Sequence, residues 1–274
     1  MKIKLIALDL DGTLLDRDHA AIPPKNLEAL RRAAASGVEI AVASGRSWSL
    51  IREIAQTLGM VRYALTANGA CVLDTVTGQI LLQDSMSQTQ CAGVIALLRR
   101  YQLPYELYLG TENYVQRSDL PGVAHYALSP AFHALFQRCV TLTDDMLDAA
   151  AQGVPEKFDV FYVPEAVRPQ LTAELAPLGL TGGAGGVATN LEITAPGVNK
   201  GRALAALCGR LGLSAGEVMA FGDADNDLEM LSWAGWSFAM ENGTPLAKQA
   251  AKYQAPPNDQ AGVGQMIAQY LLHP

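Results

Sequence analysis

The chain has 274 residues, half of them apolar, enough for one large or two modest domains with a substantial core. A formal charge of −7 and a pI near 5.1 argue against a nucleic acid or an acidic membrane surface as partner. Cys71, Cys91, Cys139 and Cys208 are scattered, with no C-x-x-C pair and no flanking histidines, so they read as reduced thiols of a cytoplasmic protein rather than a zinc site or a disulfide framework. No apolar stretch is long enough to cross a bilayer, and the opening apolar run is too short for a signal peptide.

Residues 3–8 are apolar apart from Lys4 and predict a buried strand. Leu8-Asp9-Leu10-Asp11-Gly12-Thr13-Leu14-Leu15 continues from it. In an extended segment residues two apart point the same way, so Asp9 and Asp11 start on one face, and Gly12 lets the chain turn just after. Two carboxylates this close repel unless a cation sits between them, and a hard divalent ion suits oxygen ligands. A carboxylate beside such an ion can also act as a nucleophile. A strand-to-loop junction with two solvated acids accounts for the same residues.

Pro23-Pro24 opens a helix through Leu27, Leu30, Ala33 and Ala34, which Gly37 closes. Residues 38–43 form a second buried strand ending in Ser44-Gly45-Arg46-Ser47, ahead of a helix that runs to Leu58 and Gly59. Ser44, at a strand end and before a helix N-terminus, is placed to offer its hydroxyl to a phosphate, or to serve as an ordinary N-cap. Residues 63–66 are a short strand, Asn68-Gly69 a turn, and residues 72–82 a hairpin turning near Thr77-Gly78.

From about Asp84 to Asn190 the strand-then-acid pattern stops. Residues 87–101 predict an amphipathic helix, 105–109, 114–115 and 158–163 strands, and 165–176 another helix. This is an α+β insertion in a doubly wound domain, giving segments 1–83, 84–190 and 191–274. Gly183-x-Gly185-x-x-Ala188 is a loose dinucleotide fingerprint without the preceding strand or following helix, and reads as a loop. The first domain resumes at Leu191-Glu192-Ile193, followed by Asn199-Lys200-Gly201 and a helix over 202–211. Lys200 lies at a helix start, where a cation gains nothing from the dipole. Residues 217–221 are a strand ending in Gly222-Asp223-Ala224-Asp225-Asn226-Asp227, more acidic than helix capping needs. Residues 236–240 are a strand, followed by Glu241-Asn242-Gly243-Thr244-Pro245, a helix and the stretch 253–257, and 260–272 close the chain as a helix. The acid pair, Ser44 and the acid cluster all sit at strand ends, and Lys200 opens the helix after one. Open α/β sheets bind ligands there, which predicts a Rossmann-like parallel-sheet core.

Asp9-Leu10-Asp11-Gly12-Thr13 and Gly222-Asp223-Ala224-Asp225-Asn226-Asp227 resemble the first and fourth motifs, DxDGT and GDxxND, of the haloacid dehalogenase-like (HAD) phosphohydrolases. The chain is most similar to their Cof-type subgroup, whose large C2-type cap matches the insertion in length and pattern only. Ser44-Gly45-Arg46 resembles the second motif, with serine where relatives commonly have threonine, and Lys200 the third. Glu241 stands where relatives commonly have glycine, which leaves the path of its loop open. The resemblance implies a Mg²⁺-dependent phosphomonoester hydrolase of a small phosphorylated metabolite, with a sugar phosphate as default. Asp9 would be the nucleophile and Asp11 the acid and base. Mg²⁺ would be held by Asp9, the Asp11 backbone carbonyl and Asp223, with Asp227 supporting the metal shell or binding Lys200. Ser44, Gly45, Asn68, Lys200 and Asn226 would meet substrate or phosphate, and Asp225 would be solvated. Tyr108, Glu112, Tyr114, Arg117 and His125 are candidates for the cap side of the pocket. A phosphosugar mutase and a non-turnover phosphate sensor are the alternatives, and a monomer or homodimer is expected. The absence of G-x-S-x-G disfavours a serine hydrolase.

Overall fold

The computed structural model describes residues 3–123, 129–183 and 189–272. All four side chains of β1 (Leu5–Leu8) are buried. A strand covered on both faces has no polar side, which is why this run is apolar throughout. The chain then leaves the extended conformation at once, in an irregular helical turn over Leu10–Leu14 with Gly12 at φ 78°. α1 (Pro24–Ala35) begins on a proline and ends before Gly37 in the left-handed region. β2 (Glu39–Ala43), α2 (Trp48–Leu58) and β3 (Val61–Thr66) follow, then the hairpin β4 (Cys71–Asp74) and β5 (Ile80–Gln83).

The inserted segment contributes α3 (Gln88–Arg100), started by a Ser87–Gln90 capping box, then β6 (Tyr105–Leu109) and β7 (Glu112–Gln116). It continues through α4 (Leu120–Val123), α5 (Pro130–Cys139), β8 (Thr141–Thr143) and α6 (Met146–Gln152). Next come β9 (Pro155–Val160), α7 (Arg168–Leu175), β10 (Thr181–Gly183) and β11 (Leu191–Thr194). The elements from α4 to α6 have no counterpart among those expected from the sequence. The remaining elements are α8 (Lys200–Leu211), β12 (Val218–Gly222), α9 (Leu228–Trp233), β13 (Trp236–Met240), α10 (Pro245–Ala250), β14 (Tyr253–Ala255) and α11 (Gly262–Ile267).

The first sheet has the order β14-β13-β12-β1-β2-β3-β4-β5. It is parallel from β14 to β3 and antiparallel in the hairpin. Alternation along β1 sends Ile6 and Leu8 to one face, against α1, α2 and α11, and Leu5 and Ala7 to the other, against α8 and α9. The α/β doubly wound core expected from the strand ends is therefore present. β1 lies between β2 and β12, so successive strands depart to opposite sides of it. The carboxyl ends of β1 and β12 meet at that switch point, and Asp9 and Asp223 stand immediately beyond them.

The second sheet has the order β10-β11-β9-β6-β7-β8. This corrects one expectation: Leu191-Glu192-Ile193 does not begin the return of the first sheet. β11 pairs antiparallel with β9 and β10, and Leu191 and Ile193 pack into the apolar cluster of the second sheet. Two inward apolar residues satisfy either sheet, and only the pairing distinguishes them. We therefore place the end of the inserted cap after Thr194 rather than at 190. Among the described residues no helix is long and apolar enough to cross a membrane.

Candidate active site

β1 delivers Asp9 to a nearly water-free position, 5% exposed. Lys200, at the start of α8 and fully buried, donates from Nζ to Asp9 Oδ1 at 2.7 Å and to Asp227 Oδ1 at 2.7 Å. The lysine that gains nothing from its helix dipole is held there by two carboxylates. Burial opposes its charge, but Asp227 and Asp9 outweigh burial and keep its pKa above that of an ordinary lysine. Asp227 Oδ2 accepts the backbone N–H groups of Asp223 (2.9 Å) and Ala224 (3.1 Å). Both Asp227 oxygens are thus spent on shaping the loop and holding Lys200.

Carboxylate oxygens of Asp9, Asp223 and Asp227 lie within 4.8 Å of one another. Burial, then Asp227, push Asp223 up to about 7, against the pull of Thr13, whose hydroxyl donates to Asp223 Oδ1 at 2.9 Å. Burial likewise raises Asp9 well above the usual carboxylate range; Lys200 opposes this, and Asp227, Asp223 and Asp11 add to it. Three acids against one ammonium leave an excess of negative charge, and an all-oxygen donor set fits a hard divalent cation. With Asp227 engaged elsewhere, Asp9 and Asp223 are the side chains that would hold it.

Asp11 takes a different direction from Asp9, because the chain turns at Leu10. Arg46 grips its carboxylate bidentately, Nε to Oδ2 at 2.8 Å and Nη2 to Oδ1, and His19 Nδ1 lies 2.8 Å from Oδ1. Burial works against ionisation, yet Arg46 and His19 outweigh it and hold Asp11 well below the ordinary range. The Asp11 carboxylate lies outside the three-acid cluster. Neither Arg46 nor His19 was assigned a role from sequence. Arg46 adjoins Gly45 in a legible motif, whereas His19 carries no signal beyond its residue type.

A cavity of about 530 Å³ opens above these groups. Asp9, Asp11, Gly12, Gly45, Arg46, Asp223 and Asn226 line its core side. On the cap side stand Glu106, Tyr108, Lys157, Asp159 and Glu192, with an apolar flank of Phe132, Phe136 and Phe161. Of the cap candidates named from sequence, Tyr108 lines the cavity; Glu112, Tyr114 and Arg117 do not figure in the lining, and His125 is outside the described residues, as are Gly185 and Ala188. Ser44 is buried at the end of β2, its Oγ accepting the Arg46 N–H at 3.2 Å. Asn226 donates to Asn68 Oδ1 at 3.1 Å, and Asn68 donates to Glu192 Oε2 at 2.7 Å, so Asn68 links core to cap. Asp225 is exposed and accepts from the Thr244 hydroxyl at 2.7 Å. The Glu241 loop makes a tight turn in which Gly243 N–H meets Met240 O at 2.9 Å, and Asn242 braces the Gly12 carbonyl at 2.7 Å.

Lys157 is the group that sequence reading missed most completely. It is fully buried on β9 and donates to the Gly45 carbonyl at 2.7 Å and to Glu192 Oε1, with Asp159 Oδ2 at 3.6 Å. Its ammonium also lies 4.7 Å from the Tyr108 ring centroid. A single lysine in a strand gives no sign of such partners: besides Asp159 on its own strand, they come from β6, β11 and a core loop.

A family profile described as haloacid dehalogenase-like hydrolase matches residues 6–267. The chain belongs to that family. This hydrolase is of the Cof type, with its α+β cap inserted into the doubly wound core. It is 30% identical over 273 residues, 98% of this chain and 96% of the relative, to a Bacillus subtilis protein named 5-amino-6-(5-phospho-D-ribitylamino)uracil phosphatase. It is 30% identical over 256 residues, 92% of this chain and 89% of the relative, to a phosphoglycolate phosphatase of Pyrobaculum aerophilum. Among solved structures, a haloacid dehalogenase-like hydrolase from Bacteroides thetaiotaomicron superposes with a TM-score of 0.86 at 27% identity, covering 98% of this chain and 99% of that one.

Proposed function

We propose that this hydrolase is a cytoplasmic Mg²⁺-dependent phosphatase of small phosphorylated metabolites, working through an aspartyl-phosphate. The observation that carries the reading is Asp9 at the switch point, paired with buried Lys200 at 2.7 Å, beside Asp223 on the floor of a cavity large enough for a small metabolite. Relatives named as phosphatases support it.

In this reading the Asp9 carboxylate attacks phosphorus as the bond from phosphorus to the leaving oxygen breaks. The departing alcohol takes its proton from Asp11. Asp11, now a carboxylate, removes a proton from water as that water attacks phosphorus and frees Asp9. Arg46 and His19 hold Asp11 in the ionised form that the second half needs. For the first half Asp11 must carry a proton, which requires Arg46 to turn from it toward the entering phosphate dianion. Lys200 and Ser44 hold phosphate oxygens, and Lys200 also keeps Asp9 aimed. Mg²⁺ held by Asp9 and Asp223 would offset repulsion between carboxylate and phosphate.

The phosphosugar mutase alternative needs a cationic site for a second phosphate at the cap end. Lys157 is already engaged by Glu192, Asp159 and Gly45, so the cap chemistry favours transfer to water. The test is release of phosphate from p-nitrophenyl phosphate with and without Mg²⁺, for the wild type and Asp9→Asn. Mg²⁺-dependent turnover that the substitution abolishes is expected. Turnover that survives Asp9→Asn removes the nucleophile assignment, and a wild type inert toward every phosphomonoester tried leaves the sensor reading.

A further inference from the structure

His19 stands in the left-handed region of the backbone, at φ 57°, which is uncommon for a residue with a Cβ and persists only where the surroundings hold it. Three sets of contacts do so. Asp16 ties residues 16–21 into a closed turn: its Oδ1 accepts the backbone N–H groups of Ala20 at 3.2 Å and Ala21 at 3.3 Å, its carbonyl accepts the His19 N–H at 3.1 Å, and its own N–H donates to Ala21 O at 2.9 Å. From the cap, the Ser129 hydroxyl at the start of α5 donates to Asp18 O at 2.6 Å. From the core, Arg46 Nη2 donates to His19 O at 3.3 Å. Of these six loop residues His19 lines the cavity, with Nδ1 2.8 Å from Asp11 Oδ1.

The two partners of the Asp11 side chain differ in what they allow. Arg46 occupies both carboxylate oxygens, Nε on Oδ2 and Nη2 on Oδ1. That fork fits the ionised group alone, since a proton on either oxygen would meet an N–H. His19 occupies Oδ1 only. With its hydrogen on Nδ1, the tautomer that a carboxylate partner requires, it donates to a carboxylate and equally to the carbonyl oxygen of a carboxylic acid. Oδ2 is then free for a proton once Arg46 has turned toward the phosphate.

We infer that His19 is the positioning residue of Asp11 through both halves of the reaction, whereas Arg46 serves only one. Asp11 Oδ2 gives its proton to the leaving oxygen as the bond from phosphorus breaks, and later takes one from the attacking water. The His19 Nδ1–H stays on Oδ1 throughout and transfers no proton. This rests on the phosphatase reading above and names the group that keeps its acid and base aimed.

The test uses two aryl esters of similar shape. p-Nitrophenolate departs readily as an anion, whereas phenolate needs the proton of Asp11 far more. His19→Ala should lower kcat/KM about tenfold or more for phenyl phosphate and less than about threefold for p-nitrophenyl phosphate. With p-nitrophenyl phosphate kcat should still fall about tenfold, because freeing Asp9 needs Asp11 as base, and rapid mixing should show a burst of p-nitrophenolate as phosphorylated enzyme accumulates. His19→Asn puts an N–H where Nδ1 lies and tolerates the left-handed backbone, so it should recover most of the loss; His19→Gln, with its N–H one bond further out, should not. Where His19→Ala fails to fold, His19→Gln carries the same comparison with His19→Asn as its control. Wild-type rates in the variant, an equal fall on both esters without a burst, or no recovery in His19→Asn overturns the inference and leaves the phosphatase standing. A wild type inert toward both esters overturns the phosphatase reading and this inference with it.

Discussion

Glu156 offers a measurement of what burial of an acid does at the junction of the two sheets. It lies on β9 next to Lys157, fully buried, with Oε1 accepting from Gln83 Nε2 at 2.8 Å and Oε2 without a hydrogen-bond partner among the described residues. Burial raises its pKa to about 8 from an ordinary 4.5, against smaller opposing effects of Gln83 and Cys71. Between those values the folded chain keeps a proton that the unfolded chain releases. Stability therefore falls as pH rises from about 4.5 to about 8 and levels off above. At about 1.4 kcal/mol for each tenfold in proton affinity, the full loss is on the order of 5 kcal/mol. Glu156→Gln keeps the shape and the acceptor for Gln83 but never ionises. Its advantage over the wild type should grow from about 1 kcal/mol at pH 5 to about 4 kcal/mol at pH 8. Urea unfolding followed by tryptophan fluorescence at pH 5, 6.5 and 8 measures it. Curves for the two proteins that stay parallel across this range, within about 1 kcal/mol, refute the argument.

Three other outcomes are expected. Lys157→Met leaves Glu192 and Asp159 buried beside an apolar group and should lower stability by about 3–5 kcal/mol at pH 8, with part of the loss recovered on adding Glu192→Gln, as thermal unfolding will show. Gly12→Ala puts a Cβ into the Asp223 carboxylate at a backbone φ of 78°, so it should reduce phosphate release at least a hundredfold and destabilise by about 1–3 kcal/mol from backbone strain alone. Burial pushes the thiols of Cys71 and Cys91 up to about 12 and that of Cys208 to about 11, so a disulfide reagent at pH 8 should modify half-buried Cys139 first and the other three only in denaturant.

The groups legible in the sequence are those whose chemistry is local. Asp9, Asp223 and Ser44 each follow a buried strand directly, so the strand fixes where they stand, and β13 begins and ends where its apolar run does. Lys200 was legible because it contradicts its own helix dipole. Asp11 shows the limit: two residues from Asp9, it was read onto the same face, but the turn at Leu10 sends it to Arg46, 35 residues away. β11 shows a second limit, because its apolar pair fits either sheet equally well.

From the order of its residues alone this chain determined a parallel doubly wound core, an insertion, and acids gathered at strand ends, because period, turn residues and strand termini are properties of neighbouring positions. Only the tertiary structure decided what those acids touch. Lys157 meets Gly45 across 112 positions and Asn68 meets Glu192 across 124, and together they bring the cap onto the core. Contacts at such separations leave no periodicity in sequence. They form because burial of a charge is tolerable only where the fold supplies a partner, and the fold supplies it from wherever the chain happens to return.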